Sequence, residues 1–185
     1  MVDRPAPEVR GIKLGQSSAS LGLVILAAVV FSLPAPDVAA AELTRIDLPA
    51  KPAFVLQDLH GRPIALNSFK GRTVLVHFFA TWCEPCREEL PALNRLVARS
   101  DPSHLRVVSI SVAEVDARVR NFVEKIPVGF PVLLDRDRSI AKLWGVSSLP
   151  TTFILDRHLR PRLSVERDYD WDLLNIQELQ KSFGE

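Results

Sequence analysis

The hydrophobic positions fall into two kinds of pattern. Thr73-Val74-Leu75-Val76-His77-Phe78-Phe79-Ala80 is apolar almost throughout and rich in β-branched and aromatic residues. It predicts a strand buried on both faces. Leu105–Val112 reads the same way, and residues 131–135, Thr151–Leu155 and 162–165 are shorter versions. Residues 53–56 and 64–66 flank the turn Asp58-Leu59-His60-Gly61-Arg62-Pro63 and predict two short strands. Between the later strands the apolar residues recur at helical spacing. Leu90, Leu93, Leu96 and Val97 share a face within Glu84–Arg99, where Pro91 should kink the helix. Val115, Val119, Phe122 and Val123 form one side of residues 114–125. Ser139–Leu143 predicts a short helix, and residues 170–183 a closing one with Leu173, Leu174, Ile176, Leu179 and Phe183 apolar. The order β-β-β-α-β-α-β-α-β-β-α predicts an α/β domain with helices on both faces of its sheet.

The front of the chain has a different pattern. Residues 1–20 are polar, with Arg4, Arg10 and Lys13 against Asp3 and Glu8. Residues 21–33 carry no charge, and Pro34 and Pro36 close the run. As a helix this run covers about 20 Å, short of the roughly 30 Å hydrocarbon core of a bilayer. Ala39-Ala40-Ala41 follows. A basic segment, a short apolar one and an Ala-x-Ala site predict a secretory signal peptide over residues 1–41, cleaved after Ala41. The alternative is an uncleaved N-terminal membrane anchor; under either, the remainder is exported. Residues 42–51, with Pro49, then read as a linker, and residues 52–185 as one domain.

Composition narrows the function. The chain has 185 residues and a formal net charge of +1. That balance excludes a strongly basic nucleic-acid binder, because no excess of cations exists to displace counterions. Two cysteines cannot staple a mini-protein. They are Cys83 and Cys86, within Trp82-Cys83-Glu84-Pro85-Cys86, between a buried strand and a helix. In that context a CxxC reads as a thioredoxin-like redox motif. Cys83 falls near the helix N-terminus, where free N–H groups and the positive dipole end favour a thiolate. Cys86 lies one turn later on the same face, where it can resolve a mixed disulfide. Pro85 pre-sets φ in the first turn. A structural disulfide here would close too small a loop to stabilise much. A zinc site would need two further ligands, and there is no second cysteine pair. No cofactor beyond a redox-active Cys83–Cys86 disulfide, and no metal, is expected.

Three segments carry a family resemblance. Residues 78–91, Phe-Phe-Ala-Thr-Trp-Cys-Glu-Pro-Cys-Arg-Glu-Glu-Leu-Pro, resemble the TlpA/ResA-like branch of the thioredoxin superfamily. Gly145-Val146-Ser147-Ser148-Leu149-Pro150-Thr151-Thr152-Phe153 is similar to its second signature, and Phe130-Pro131-Val132-Leu133-Leu134-Asp135 is also typical. The resemblance implies a thioredoxin fold with an extra N-terminal β-hairpin and a central insertion, its helices on both faces of a mixed sheet. It implies Cys83 as the exposed nucleophile and Cys86 as the buried resolving thiol. Pro150 would be a cis proline facing the disulfide, presenting the Leu149 backbone to an incoming peptide. Glu89, three residues after Cys86, matches an acid that handles the protons of the cysteines, or is a solvated helix charge like Glu88. Trp82 and Glu84 would tune the site.

Two positions depart from the family. His77 stands on the central strand, where thioredoxin has a buried acid and this branch usually a neutral residue. It is either a proton acceptor, or, as a cation, a thiolate stabiliser, or a core histidine satisfied by a backbone partner. The turn 156–160 lacks the usual glycine, which puts the hairpin geometry in question.

The resemblance implies a periplasmic thiol–disulfide reductase for exported proteins, of the kind serving cytochrome c or cytochrome oxidase maturation. Its electron donor would be a membrane thiol-transfer protein of the DsbD/CcdA kind, since the periplasm is oxidising. The polar helices point to a monomer. The alternatives are a disulfide oxidase or isomerase and a copper(I) chaperone using the same thiolates. A peroxidase is disfavoured by Ala80, where peroxiredoxins place Thr or Ser.

Overall fold

The computed structural model describes residues 42–46 and 51–184. The signal peptide or anchor expected over residues 1–41 lies outside them. The main sheet has six strands in the order β1-β8-β7-β4-β5-β6. They are β1 (Thr44–Arg45), β4 (Thr73–Phe79), β5 (Leu105–Val112), β6 (Val132–Asp135), β7 (Thr151–Leu155) and β8 (Pro161–Val165). β5 runs parallel to β4 and β6, whereas β7 is antiparallel to β4 and β8. β4 is buried along its whole length, as its unbroken apolar run demands. The sheet is mixed, and the thioredoxin arrangement expected from the sequence is present.

β4 sorts its side chains to two cores. Val74, Val76 and Phe78 point into one, with Trp144, Phe153 and Phe54. There the rings of Phe78 and Phe54 lie 5.6 and 5.7 Å from Trp144. Helix α3 (Ser139–Leu143) covers this side with the hairpin β2 (Val55–Gln57) and β3 (Pro63–Ala65). The hairpin is a separate two-stranded sheet, tied to β6 by an Asp58–Leu133 bridge. Leu75 faces the other core, with Leu90, Leu93 and Leu96 of α1 (Glu84–Arg99), Leu179 of α4 (Ile176–Ser182) and Trp171. Phe79 faces a smaller cluster with both cysteines and Val119 of α2 (Asp116–Lys125). Helices therefore cover both faces. The segment between β5 and β7 supplies α2, β6 and α3, which extend the sheet on its parallel side.

Three expectations need correction, and the question left by the glycine-free turn has an answer. The linker 42–51 contains β1, which pairs with β8 through Thr44–Ser164 and Arg45–Leu163; two residues are too short for a visible alternation. The second long helix starts at Asp116, and Val115 is 68% exposed rather than on the apolar side. Glu114 is drawn inward instead, for a reason that belongs to the site below. The closing helix is broken: Asp170 accepts from the Asp172 N–H and forms a 3-10 turn over Trp171–Leu173. Leu174 is then extended, and Asn175 starts α4 by accepting from the N–H groups of Gln177 and Glu178. Finally, the turn 156–160 closes without glycine. Leu159 takes the left-handed conformation at φ 64°, and Asp156 accepts from the N–H groups of His158 and Arg160, both at 2.9 Å. The Asp side chain does locally what a glycine would have made easy. α1 runs on through Pro91, whose missing N–H leaves the Arg87 carbonyl without its usual helical donor.

Candidate active site

The buried strand β4 delivers the chain into the loop Ala80-Thr81-Trp82, and Cys83 caps α1. The Cys83 N–H donates to the Ala80 carbonyl at 3.1 Å, and the Arg87 N–H to the Cys83 carbonyl at 3.2 Å. Cys83 and Cys86 are joined in a disulfide. The Cys86 N–H points at Cys83 Sγ, 3.3 Å away, so the first turn of the helix aims a donor at that sulfur. This is the environment that favours a thiolate at Cys83 once the disulfide is reduced. Cys83 is less open than expected, at 5% exposure, but it is the one that solvent reaches; Cys86 has none. Trp82 beside it is 67% exposed. Glu84 and Pro85 face solvent, and Glu84 pairs with Arg87 at 3.0 Å. The Leu149–Pro150 peptide is cis, Pro150 is buried, and Leu149 packs against the cluster that holds both cysteines. Thr151 Oγ1 donates to the Ser148 carbonyl at 2.8 Å and Ser148 Oγ to the Glu166 carbonyl at 3.2 Å, which fixes this loop.

Behind the cysteines lies a buried polar pair. His77 Nδ1 is 3.2 Å from Glu89 Oε1 and 3.0 Å from Thr152 Oγ1. Glu89 is therefore no solvated helix charge. Its other oxygen accepts from the Trp171 indole at 3.0 Å and from the Tyr169 N–H at 3.1 Å. Burial raises the Glu89 carboxyl to about 7; the two donors oppose this, and the charge of Asp168 adds to it. Burial lowers His77 to about 3, so at neutral pH it is uncharged and is no cationic thiolate stabiliser. Nor has it a backbone partner: its contacts are the side chains of Thr152 and Glu89. With its carboxyl raised to about 7, Glu89 is present both with and without its proton near neutral pH, one helical turn behind Cys86, as a group exchanging protons with a thiol must be.

The AhpC/TSA family pattern matches residues 49–160, more than half of the chain. The chain belongs to the AhpC/TSA family. Within it, the chain is 39% identical over 106 residues to thiol-disulfide oxidoreductase ResA of Bacillus thuringiensis subsp. konkukian, covering 57% of this chain and 61% of that protein. It is 36% identical over 135 residues to the ResA of Bacillus anthracis, covering 73% of this chain and 78% of that one. A solved thiol:disulfide interchange protein of the thioredoxin family, from Chlorobium tepidum, superposes with a TM-score of 0.61 at 23% identity. It covers 75% of this chain and 98% of that structure, and at that identity it shows the shared fold.

Several site residues of this AhpC/TSA-family domain carried no signal in the sequence. Glu114 is 7% exposed and accepts three hydrogen bonds: from the Thr81 N–H at 2.8 Å, Thr81 Oγ1 at 2.5 Å and Ser111 Oγ at 2.9 Å. It ties the end of β5 to the loop that carries Trp82 and Cys83. As an acid at the head of an amphipathic segment it looked like an ordinary first-turn residue. Thr152, Tyr169 and Trp171 likewise acquire meaning only when strand pairing and the closing segment bring them to His77 and Glu89. Glu114→Ala should destabilise the fold by about 2–4 kcal/mol, since it takes the acceptor from three donors on Thr81 and Ser111. Glu114→Gln keeps an acceptor and should lose less than half of that; urea unfolding of the two variants checks the difference.

Proposed function

We propose that this protein is an exported thiol–disulfide oxidoreductase that works as a reductase on disulfides of other exported proteins. The observation that carries the reading is the Cys83–Cys86 pair at the start of α1, packed against Leu149 and backed by Glu89 and His77. The reduced protein would act in two steps. The Cys83 thiolate attacks one substrate sulfur; a Cys83–substrate bond forms, the substrate S–S bond breaks, and its electron pair leaves on the second sulfur, which takes a proton. Cys86 then loses its proton toward the buried pair and attacks the Cys83 sulfur. The Cys83–Cys86 disulfide forms, and the substrate departs with both electrons and two protons.

Pro150 and Leu149 would hold the substrate chain in extended form beside the disulfide, and Trp82, Glu84 and Pro85 would set the local reactivity. No cofactor is needed beyond the two cysteines. The names of the ResA relatives support the chemistry, and the basic-apolar-small pattern of residues 1–41 supports export to the periplasm. There the protein would act as a monomer on thiol proteins of the cytochrome c or cytochrome oxidase maturation type. A membrane thiol-transfer protein of the DsbD/CcdA kind would re-reduce it.

The test is the reduction potential of the Cys83/Cys86 couple, equilibrated against glutathione and dithiothreitol buffers. The expected value is at or below about −250 mV, in the thioredoxin range. A value near about −120 mV would make the protein a disulfide donor and overturn the direction proposed.

A further inference from the structure

A cleft of about 210 Å³ opens beside the disulfide, between Trp82 on one side and Leu149 with the preceding serines on the other. Its far wall comes from the ends of two strands, at Ala113 after β5 and Arg138 after β6. Both are non-glycine residues in the left-handed conformation, at φ 57° and 63°. Such a conformation is unfavourable for each and persists only where the surroundings impose it. Here one carbonyl imposes both: the Asp135 oxygen accepts from the Ala113 N–H at 2.9 Å and from the Arg138 N–H at 3.2 Å. The Asp135 carboxylate is itself buried and accepts from the N–H groups of Ile140 and Ala141, at 3.1 and 2.8 Å. The turn that carries Arg138 is therefore held at three points.

Arg138 is the one charged residue among those lining the cleft. Its neighbours of both signs are engaged elsewhere. Arg136 pairs with Asp116 at 2.7 Å, Asp137 accepts from the Ser139 N–H at 3.0 Å, and Glu166 meets Ser147 Oγ at 3.2 Å. Among the described residues, no carboxylate neutralises the Arg138 guanidinium. A substrate chain laid along Leu149 places the residues flanking its cysteine over this cleft, whose volume suits one side chain.

We propose that the cleft is a specificity site, and that Arg138 selects substrates with an acidic residue next to the reactive cysteine. This rests on the thiol–disulfide exchange proposed above and names the substrate class of the same site. The carboxylate would meet the guanidinium while the aliphatic part of its side chain lies against Trp82 and Leu149.

The test uses the protein carrying Cys86→Ser, reduced, so that Cys83 stops at the mixed disulfide. The probes are short peptides with one cysteine capped as a 2-thiopyridyl disulfide, flanked on both sides by Glu, Gln or Lys. Cys83 attacks the peptide sulfur, the Cys83–peptide bond forms, the bond to the thiopyridyl sulfur breaks, and the released thiopyridone is followed by absorbance. Each rate is divided by that of the same peptide with 2-mercaptoethanol, which removes intrinsic differences. The Glu peptide should react about fivefold faster than the Gln peptide, and the Lys peptide slower still. Adding Arg138→Glu should reverse the order, and salt should shrink both preferences. Equal normalised rates for the three peptides, with exchange itself proceeding, would overturn the role of Arg138 and leave the oxidoreductase reading intact. No reaction with any peptide would overturn the exchange reading, and this inference with it.

Discussion

Cys83→Ser is expected to abolish exchange with protein disulfides, a loss of roughly 10³-fold or more, because the chain's one other thiol, Cys86, is fully buried. Cys86→Ser should behave differently. Its Cys83 can still attack, since the helix start and the Cys86-position N–H that point at Cys83 Sγ belong to the backbone. It has no means of resolving the adduct, so covalent complexes with substrate should accumulate and disappear on adding dithiothreitol. The asymmetry follows from position. Cys83 is the sulfur that solvent reaches, and Cys86 has no exposure at all. Non-reducing gels after incubation with a disulfide-containing substrate read both outcomes at once. Adducts forming through Cys86 in the Cys83→Ser protein would reverse the assignment of nucleophile and resolving thiol.

The same comparison shows what could be read from the chain and what could not. The strands of the central sheet other than β1 were legible because each is a short, mainly apolar and β-prone run, and the cysteine pair because its spacing and its place between strand and helix are local facts. Glu89 and Glu114 are charged residues that burial conceals; Trp171, Tyr169 and Thr81 reach them by chain crossings that no spacing reports. Glu89 illustrates the difference. Its helical face follows from Cys86, three residues before it, but its state depends on Trp171 and Tyr169, some eighty residues away, and on His77 across the helix–sheet boundary. The break in the closing segment, which Asp170 and Asn175 impose, is what brings Trp171 to that carboxyl. A continuous helix over 170–183, as the apolar spacing predicts, would have arranged these residues on another path. Local capping by two short polar side chains outweighed a regular hydrophobic pattern, and the electrostatics of the site depend on that outcome.

Glu89→Gln should make the oxidised protein more stable at pH 8, by up to about 3 kcal/mol relative to its effect at pH 4.5. The carboxyl is raised from 4.5 to about 7 by burial. Between those values the folded state keeps a proton that the unfolded state has released. The folded protein then binds more protons, so stability falls as pH rises through this window, and above pH 7 the full cost of the buried charge is present. Gln carries no charge to bury, and its amide oxygen can still accept from the Trp171 indole and the Tyr169 N–H. His77 works in the opposite sense. Its value is lowered from 6.5 to about 3 by burial, so the folded state binds fewer protons than the unfolded one between those limits. Its contribution to stability is lost as pH falls through the window and is complete above pH 6.5. In the wild-type protein the two slopes oppose each other between about pH 4.5 and 6.5 and flatten the profile there. In Glu89→Gln the His77 slope stands alone, and stability should climb with pH up to about 6.5 before levelling. Urea unfolding across pH 4–8 measures this directly, and using the disulfide form removes the thiol protons from the balance. Groups common to both proteins cancel in the difference. If the variant and the wild type differ by the same amount at pH 4.5 and pH 8, Glu89 is not the group that holds the proton, and the buried pair loses its place beside Cys86 in the exchange.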